Sequence, residues 1–154
     1  IKGVIVPTLT PFDDNGAVDT DKIEPLVHFL LGHGVKGLFP LGTTGEGVLL
    51  STAERKQVAE ATVKAADGAA PVIIHTGAIT TRETIELTQH AYDIGADAVA
   101  IVTPYYFGLA DEALEQHYRT VVEAVPDMPI YLYYIPQCTG NRLSLDVVSR
   151  FTSQ

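Results

Sequence analysis

The feature that most constrains the fold is a cycle that repeats five times along the 154 residues. In each cycle a short apolar segment rich in β-branched residues is followed by a loop and then by a longer segment with helical spacing. The apolar segments hardly alternate with polar residues, as in a parallel sheet that is covered on both faces. They are residues 3–9, 37–41, 72–76, 98–103 and 130–134. Their starts lie roughly 30 residues apart, the size of a βαβ step, so the sequence predicts an α/β fold.

Helix starts are marked by polar residues that can satisfy free backbone N–H groups. Residues 51–54 and 80–83 both have capping-box form, a Ser or Thr followed three residues later by Glu. The expected N-caps of the other three helices are Asp19, Asp111 and Ser144. The glycines at the expected helix ends are Gly32, Gly34 and Gly95. Because no linker or low-complexity stretch interrupts this pattern, residues 1–154 are expected to form a single domain.

Composition excludes several classes of function. The 19 Asp and Glu against 10 Lys and Arg leave a net charge of −9, which disfavours nucleic acid or an anionic membrane as a partner. The single cysteine, Cys138, excludes an intramolecular disulfide and a CxxC metal site. No segment approaches the length of a membrane-spanning helix, and the N-terminus lacks the pattern of a signal peptide. A soluble cytoplasmic protein is expected.

Two architectures can hold five βα units. One is an open, doubly wound sheet of flavodoxin type, and the other is part of a (β/α)8 barrel. A whole barrel needs roughly 250 residues, so this chain holds about five of its eight units. On length alone the open sheet is slightly favoured, because it completes its hydrophobic core within the chain given.

Polar, hydroxyl-rich segments follow all five predicted strands, at the edge where parallel α/β folds carry their sites. The most specific is Gly-Thr-Thr-Gly-Glu at residues 42–46. Its glycines permit a tight turn, and its hydroxyl and exposed N–H groups can bind a small carboxylate or phosphate. The segment lacks the lysine of a nucleotide-binding P-loop. An ordinary turn between strand and helix is the alternative.

Two tyrosine pairs and one histidine also stand at predicted strand ends. Tyr105 with Tyr106, and Tyr133 with Tyr134, follow the fourth and fifth strands, where a phenol can transfer a proton. The alternative is a structural role for these rings at the rim. His75 ends the third strand, but no second metal ligand stands at a suitable spacing. The remaining histidines are expected in surface or packing roles on helices: His28, His33, His90 and His117.

The strand-end segments resemble those of one family, the dihydrodipicolinate synthase / N-acetylneuraminate lyase family. The similar segments are Gly-Thr-Thr-Gly-Glu at 42–46, Thr-Pro-Tyr-Tyr at 103–106, Tyr-Tyr-Ile-Pro-Gln-Cys-Thr-Gly at 133–140, and the opening Val-Pro-Thr-Leu-Thr-Pro-Phe at 6–12. The resemblance covers essentially all 154 residues. It implies the N-terminal part of a (β/α)8 barrel enzyme that assembles as a homotetramer.

The resemblance also implies an activity. Members of the family form a Schiff base between a lysine and pyruvate or a related 2-keto acid, and then make or break a carbon–carbon bond without a cofactor or a metal. By this resemblance Thr43, Thr44 and Gly45 bind the keto-acid carboxylate, and Thr44 also serves in a proton relay. Tyr133 is the main acid and base of that relay. Tyr106 matches the tyrosine that is lent across a subunit interface to the neighbour's site.

Two positions depart from the synthase pattern. The synthase has Asn after the catalytic tyrosine and Arg two residues after the proline, where this chain has Tyr134 and Cys138. In the synthase that arginine holds the carboxylate of the second substrate. A lyase, aldolase or dehydratase acting on sugar-derived keto acids is therefore the alternative to an activity like that of dihydrodipicolinate synthase. As a nucleophile, Cys138 would need a partnered base, and none is adjacent.

The nucleophilic lysine is a further departure. In the family it lies on the sixth strand, whereas the five lysines of this chain precede strands or lie in predicted helices: Lys2, Lys22, Lys36, Lys56 and Lys64. None is placed to act as the amine that imine formation requires. The chain is therefore expected to be the N-terminal part of a longer enzyme and inactive alone. A non-catalytic half-barrel that binds a small carboxylate is the alternative from another class.

Overall fold

Five parallel strands lie side by side in the order in which they occur in the chain. The computed structural model describes residues 2–152. The strands are β1 (Ile5–Pro7), β2 (Gly37–Phe39), β3 (Ile73–His75), β4 (Ala98–Val102) and β5 (Ile130–Tyr133). β1 pairs with β2, and β4 pairs with both β3 and β5, while a parallel bridge between Leu38 and Val72 joins the two groups. Each strand lies inside a predicted apolar segment, which confirms the five predicted strands.

The strand order distinguishes the two architectures. A flavodoxin-type sheet has the order 2-1-3-4-5, so that its first strand lies between the second and the third. Here β2 lies between β1 and β3, with Ile5 opposite Gly37 and Leu38 bridged to Val72. Right-handed crossovers that all run in one direction place the connecting helices on one face of the sheet. The open doubly wound sheet that length favoured is wrong, and the chain forms about five units of an unclosed (β/α)8 barrel.

The helices follow the strands as expected. They are α1 (Ile23–Gly32), α2 (Thr52–Ala66), α3 (Thr81–Asp93), α4 (Asp111–Ala124), α5 (Pro136–Thr139) and α6 (Leu145–Thr152), with 3-10 turns at Thr20–Lys22 and Gly47–Leu49. Ser51 and Glu54 form the full predicted capping box of α2. Thr80 accepts from the Glu83 amide at the start of α3, but the Glu83 carboxylate accepts from Thr52 instead of completing the box. None of the helices within residues 2–152 is long and apolar enough to cross a membrane.

The predicted caps are only partly correct. Ser144 accepts from the Val147 amide as the N-cap of α6, whereas Asp19 caps the short 3-10 turn that leads into α1. The prediction for Asp111 is wrong, because Ala110 is the N-cap and Asp111 is the first residue of α4. Its carboxylate instead accepts from the Ser144 hydroxyl at 2.6 Å. Two of the three predicted glycines follow their helices with φ near +80°, Gly34 and Gly95, while Gly32 stays within α1.

The core divides between the two faces of the sheet. On the outer face, strand residues such as Leu38, Ile74 and Val99 pack against helix residues such as Val58 and Val121. The inner face carries a smaller cluster, made by Ile73, Ala98 and Ala100 with Phe39 and Tyr133 packed against it. Side chains alternate between the faces along each strand. The polar strand ends and the inner cluster therefore lie on the side of the sheet that a closed barrel would enclose.

Candidate functional site

A cavity of about 300 Å³ lies at the carboxyl ends of the strands. Its wall combines apolar groups with hydroxyl, imidazole and carboxylate groups, and includes Thr43, Glu46, His75, Tyr105, Tyr133 and Cys138. A larger cleft of about 680 Å³ lies between α1 and α2, where charged groups such as Asp21, Glu24 and Lys64 line it. None of the predicted site residues lies in that cleft. The smaller cavity is therefore the candidate site.

The central contact of this cavity joins β2 to β5. The Thr43 hydroxyl and the Tyr133 phenol lie 3.2 Å apart, and either oxygen can donate. Thr43 follows β2, and Tyr133 is the last residue of β5. A threonine hydroxyl and a phenol at this distance can pass a proton to each other or to a bound molecule.

The loop at 42–46 is held by close backbone contacts. Leu41 and Glu46 both have positive φ, +66° and +54°. The Thr10 hydroxyl donates to the Gly45 carbonyl at 2.6 Å, which ties the end of β1 to the loop. A Cβ at Gly45 would lie 2.9 Å from the Thr8 carbonyl oxygen, and one at Gly47 would overlap the Leu41 carbonyl. Glycine is required here because the backbone itself fills the space of a side chain.

Two rings hold the Tyr133 ring in place. Phe39 and His75 each pack edge-to-face with it, at centroid distances of 5.4 Å and 5.8 Å. Ala100 lies opposite His75 in the register of β3 and β4, and its methyl group leaves room for the rings on the inner face. Edge-to-face packing restricts the ring of Tyr133 while its hydroxyl remains on Thr43.

His75 is the most buried polar side chain of the cavity wall, with 2% of its surface exposed. Burial and, to a smaller extent, the charge of Arg55 together lower its pKa to about 3, and the nearby Leu41 backbone acts in the opposite direction. Neither ring nitrogen has a hydrogen-bond partner in the described part of the chain. The imidazole is therefore neutral near pH 7, with an unused donor and an unused acceptor.

Arg55 lies behind the cavity wall and was not singled out by the sequence analysis. Its guanidinium donates to the backbone carbonyls of His75 at 2.9 Å and Gly77 at 3.1 Å. Burial lowers the pKa of Arg55, yet an arginine in a protein stays charged. Helical spacing could have indicated that Arg55 is buried, because Arg55 shares the buried face of α2 with Val58 and Thr62. Arg55 fixes the backbone at the end of β3, and with it the position of His75.

The other predicted site residues lie at the rim or outside the cavity. Thr44 is exposed and is not part of the cavity wall. Tyr106 is 84% exposed, has a φ of +80° and packs edge-to-face on Phe107. Its neighbour Tyr105 lines the cavity instead, and burial raises the pKa of that phenol. Tyr134 has 53% of its surface exposed and is not part of the cavity wall.

The lysines lie away from the cavity. Among the residues that the structure describes, no lysine is part of the cavity wall. Lys56 forms an ion pair with Glu86 at 2.6 Å on the helical side of the sheet, and Lys64 borders the cleft between α1 and α2. Within residues 2–152 there is also no cluster of three or more side chains suited to hold a metal ion.

The chain is similar over its whole length to one family of known proteins. The sequence profile described as the Dihydrodipicolinate synthetase family matches residues 1–154. The 4-hydroxy-tetrahydrodipicolinate synthase of Methanothrix thermoacetophila is 44% identical over 98% of this chain and 50% of its own length. Dihydrodipicolinate synthase from Acinetobacter baumannii, solved with pyruvate, superposes with a TM-score of 0.93 at 43% identity, over 97% of this chain and 51% of its own.

A sugar-acid enzyme is similar as well. The 2-keto 3-deoxygluconate aldolase from Picrophilus torridus superposes with a TM-score of 0.92 at 31% identity, over 99% of this chain and 54% of its own. The chain therefore spans about half the length of the relatives that it matches.

Proposed function

The chain belongs to the dihydrodipicolinate synthetase family, and from this premise we propose that its 154 residues carry the substrate-binding and proton-transfer part of a lyase. That enzyme forms a Schiff base with pyruvate or a related 2-keto acid. The observation that carries the proposal is the 3.2 Å contact between the hydroxyl groups of Thr43 and Tyr133 in the wall of the cavity. The contact joins a residue of the proposed carboxylate-binding loop to the proposed acid and base.

The proposed roles follow from the chemistry of each group. The hydroxyl groups of Thr43 and Thr44 and the amide of Gly45 bind the keto-acid carboxylate, since a glycine-rich turn presents N–H groups to an anion. Tyr133 donates and accepts the proton next to the imine, and the adjacent threonine hydroxyl passes it on. In cleavage, the electron pair of the broken carbon–carbon bond becomes the double bond of an enamine, and the iminium π pair moves to the nitrogen. In synthesis, the enamine carbon next to the imine carbon uses that pair to form the new bond, and the iminium is restored.

The amine of the imine comes, in this proposal, from outside these 154 residues. Imine formation needs a neutral amine that attacks the keto carbon and releases water. None of the five lysines belongs to the described cavity wall, so the 154 residues alone are proposed to be inactive. A cytoplasmic homotetramer that needs no cofactor completes the proposal. In it Tyr106, which is exposed here, is lent to a neighbouring subunit's site.

A second candidate is a lyase or dehydratase for sugar-derived keto acids. The cavity wall described here includes one charged side chain, Glu46, and Cys138 lies in the same wall. A carboxylate on the second substrate would meet no cation from this half of the site, whereas hydroxyl groups would meet threonine, tyrosine and histidine. The aldolase from Picrophilus torridus acts, by its name, on a substrate of that kind.

The experiment that tests the proposal is reductive trapping with pyruvate and borohydride, followed by intact mass measurement. One sample is the 154-residue chain. The other, called the extended protein below, continues these residues with the remaining half of the Methanothrix thermoacetophila synthase. We expect a covalent pyruvate adduct on the extended protein and none on the 154-residue chain. A folded extended protein that binds pyruvate without forming an adduct would instead support a non-catalytic carboxylate-binding barrel.

A further inference from the structure

The proposed relay and carboxylate site give no role to His75, the most buried polar side chain of the cavity wall. His75 lines the cavity next to Tyr133, is almost completely buried, and has no hydrogen-bond partner at either ring nitrogen within residues 2–152. Buried polar groups in folded proteins are nearly always hydrogen-bonded, so an unpartnered group in a cavity wall calls for a ligand or a function.

The contacts of the His75 ring are mainly with other rings, although the Leu41 backbone also lies near it. Phe39 and Tyr133 pack edge-to-face with it, at centroid distances of 6.5 Å and 5.8 Å. Tyr133 has its hydroxyl on Thr43, and Arg55 is committed to backbone carbonyls. Gly77 leaves room for the ring, because a Cβ there would come within 3.1 Å of the Nε2 atom of His75. The ring is therefore closely packed, while neither of its nitrogens makes a well-formed hydrogen bond within residues 2–152.

We propose that His75 is a specificity-determining residue whose imidazole hydrogen-bonds a hydroxyl group of the substrate in the cavity. The proposal deepens the proposed function and rests on it. The torsion of a histidine ring about the Cβ–Cγ bond has broad preferences, so a ring held by edge-to-face contacts can turn a nitrogen toward a bound molecule.

The chemistry of a neutral imidazole selects a hydroxyl group over other polar groups. One ring nitrogen donates and the other accepts, and a hydroxyl can pair with either of them. A carboxylate pairs only with the donor, and it would be repelled by Glu46 in the same wall. An ammonium group pairs only with the acceptor. The site should therefore favour a hydroxylated 2-keto acid over one that carries a second carboxylate.

The test uses the 154-residue chain and two acids of six carbons, gluconate with hydroxyl groups and hexanoate without them. In the wild-type chain, gluconate should shift the ¹⁵N resonance of a His75 ring nitrogen. The substitution His75→Phe should weaken gluconate binding about tenfold, which corresponds to one hydrogen bond, and leave hexanoate binding within about twofold. The same substitution at the other buried, neutral histidine, His117→Phe, should change neither affinity, because His117 lies between α3 and α4.

Two results would overturn the proposal. One is an absence of any shift at the His75 ring nitrogens when gluconate binds, and this result stands even if His75→Phe fails to fold. The other is a folded His75→Phe chain whose affinities for gluconate and hexanoate fall equally or do not fall at all. Neither acid has a keto group, so the outcome is independent of imine formation. If the extended protein forms the pyruvate adduct but either of these two results is found, the role of His75 is rejected and the proposed function stands.

Discussion

The hydroxyl groups of Thr43 and Tyr133 lie 3.2 Å apart, although 90 residues separate them in the chain. Three strand-to-strand steps of the sheet, from β2 to β5, bring these two residues to the same edge. The contact depends on the strand order and on the Phe39 and His75 rings that hold Tyr133. The proton transfer proposed at this position therefore depends on the assembled sheet.

Tyr133 is the first residue to test. In the extended protein, Tyr133→Phe should lower kcat by about 10²–10⁴ fold, because it removes the proposed acid and base while it keeps the ring packing. Steady-state kinetics with pyruvate and an aldehyde as the acceptor measure the effect. Tyr131→Phe is the matched control on the inner face of the same strand, and it should leave kcat within about twofold. Equal losses in the two variants would contradict a chemical role for Tyr133.

Arg55 should be necessary for stability. Arg55→Met removes the charged donor from the carbonyls of His75 and Gly77 and should lower the free energy of unfolding by about 3 kcal/mol. Urea denaturation followed by circular dichroism measures the change. Arg82→Met, at an exposed position of α3, should change stability by less than about 0.5 kcal/mol. An Arg55→Met chain as stable as the wild type would show that the two carbonyls need no donor.

The glycine at position 47 should tolerate no side chain. Gly47→Ala places a Cβ against the Leu41 carbonyl, so the loop must shift and Thr43 with it. We expect a lower free energy of unfolding and weaker pyruvate binding. Gly32→Ala is the control, since nothing lies within 4 Å of its Cβ and alanine favours a helix by up to about 1 kcal/mol. Wild-type stability in Gly47→Ala would contradict the described loop backbone.

Stability should fall in mild acid because of two buried histidines. Burial lowers the pKa of His75 to about 3 and that of His117 to about 4, from 6.5. Below pH 6.5 the unfolded chain binds protons that the folded chain does not, so stability is full above that pH and declines as the pH falls toward these values. The slope should approach about 1.4 kcal/mol per pH unit for each histidine.

Urea denaturation between about pH 7 and pH 5 measures this slope. This range lies above the usual pKa values of Asp and Glu, so their titration adds little to it. His117→Phe should remove about half of the slope, because one of the two buried imidazoles is lost. A free energy of unfolding that stays constant across this range would contradict the burial of both histidines as neutral groups.

Much of the fold could be predicted because its signals are local. An uninterrupted apolar segment predicts a buried parallel strand, and Ser51 with Glu54 predicts a helix start within four residues. The meeting of Thr43 and Tyr133 at one edge followed from the rule for strand ends. Length alone favoured the open sheet and was wrong, because length does not determine strand order, whereas the partial barrel that the resemblance implied is confirmed. The bridge between Leu38 and Val72, which places β2 beside β3, is a tertiary contact.

The residues behind the site could not be predicted from local signals. The helical spacing of α2 predicts that Arg55 faces inward. It does not predict the acceptors of Arg55, because these carbonyls lie 20 and 22 residues further along the chain. The free nitrogens of His75 depend on which rings meet it across the sheet. Asp111 was expected to cap α4, yet its carboxylate accepts from Ser144, which lies 33 residues away.

The most direct test of the central claim is the position of the pyruvate label in the extended protein. After reduction with borohydride, tryptic peptide mapping locates the modified lysine. The account predicts a label on a lysine outside residues 1–154, with Lys2, Lys22, Lys36, Lys56 and Lys64 unmodified, and loss of the label when Thr43 and Thr44 are both replaced by Val. A label on any of those five lysines would contradict it.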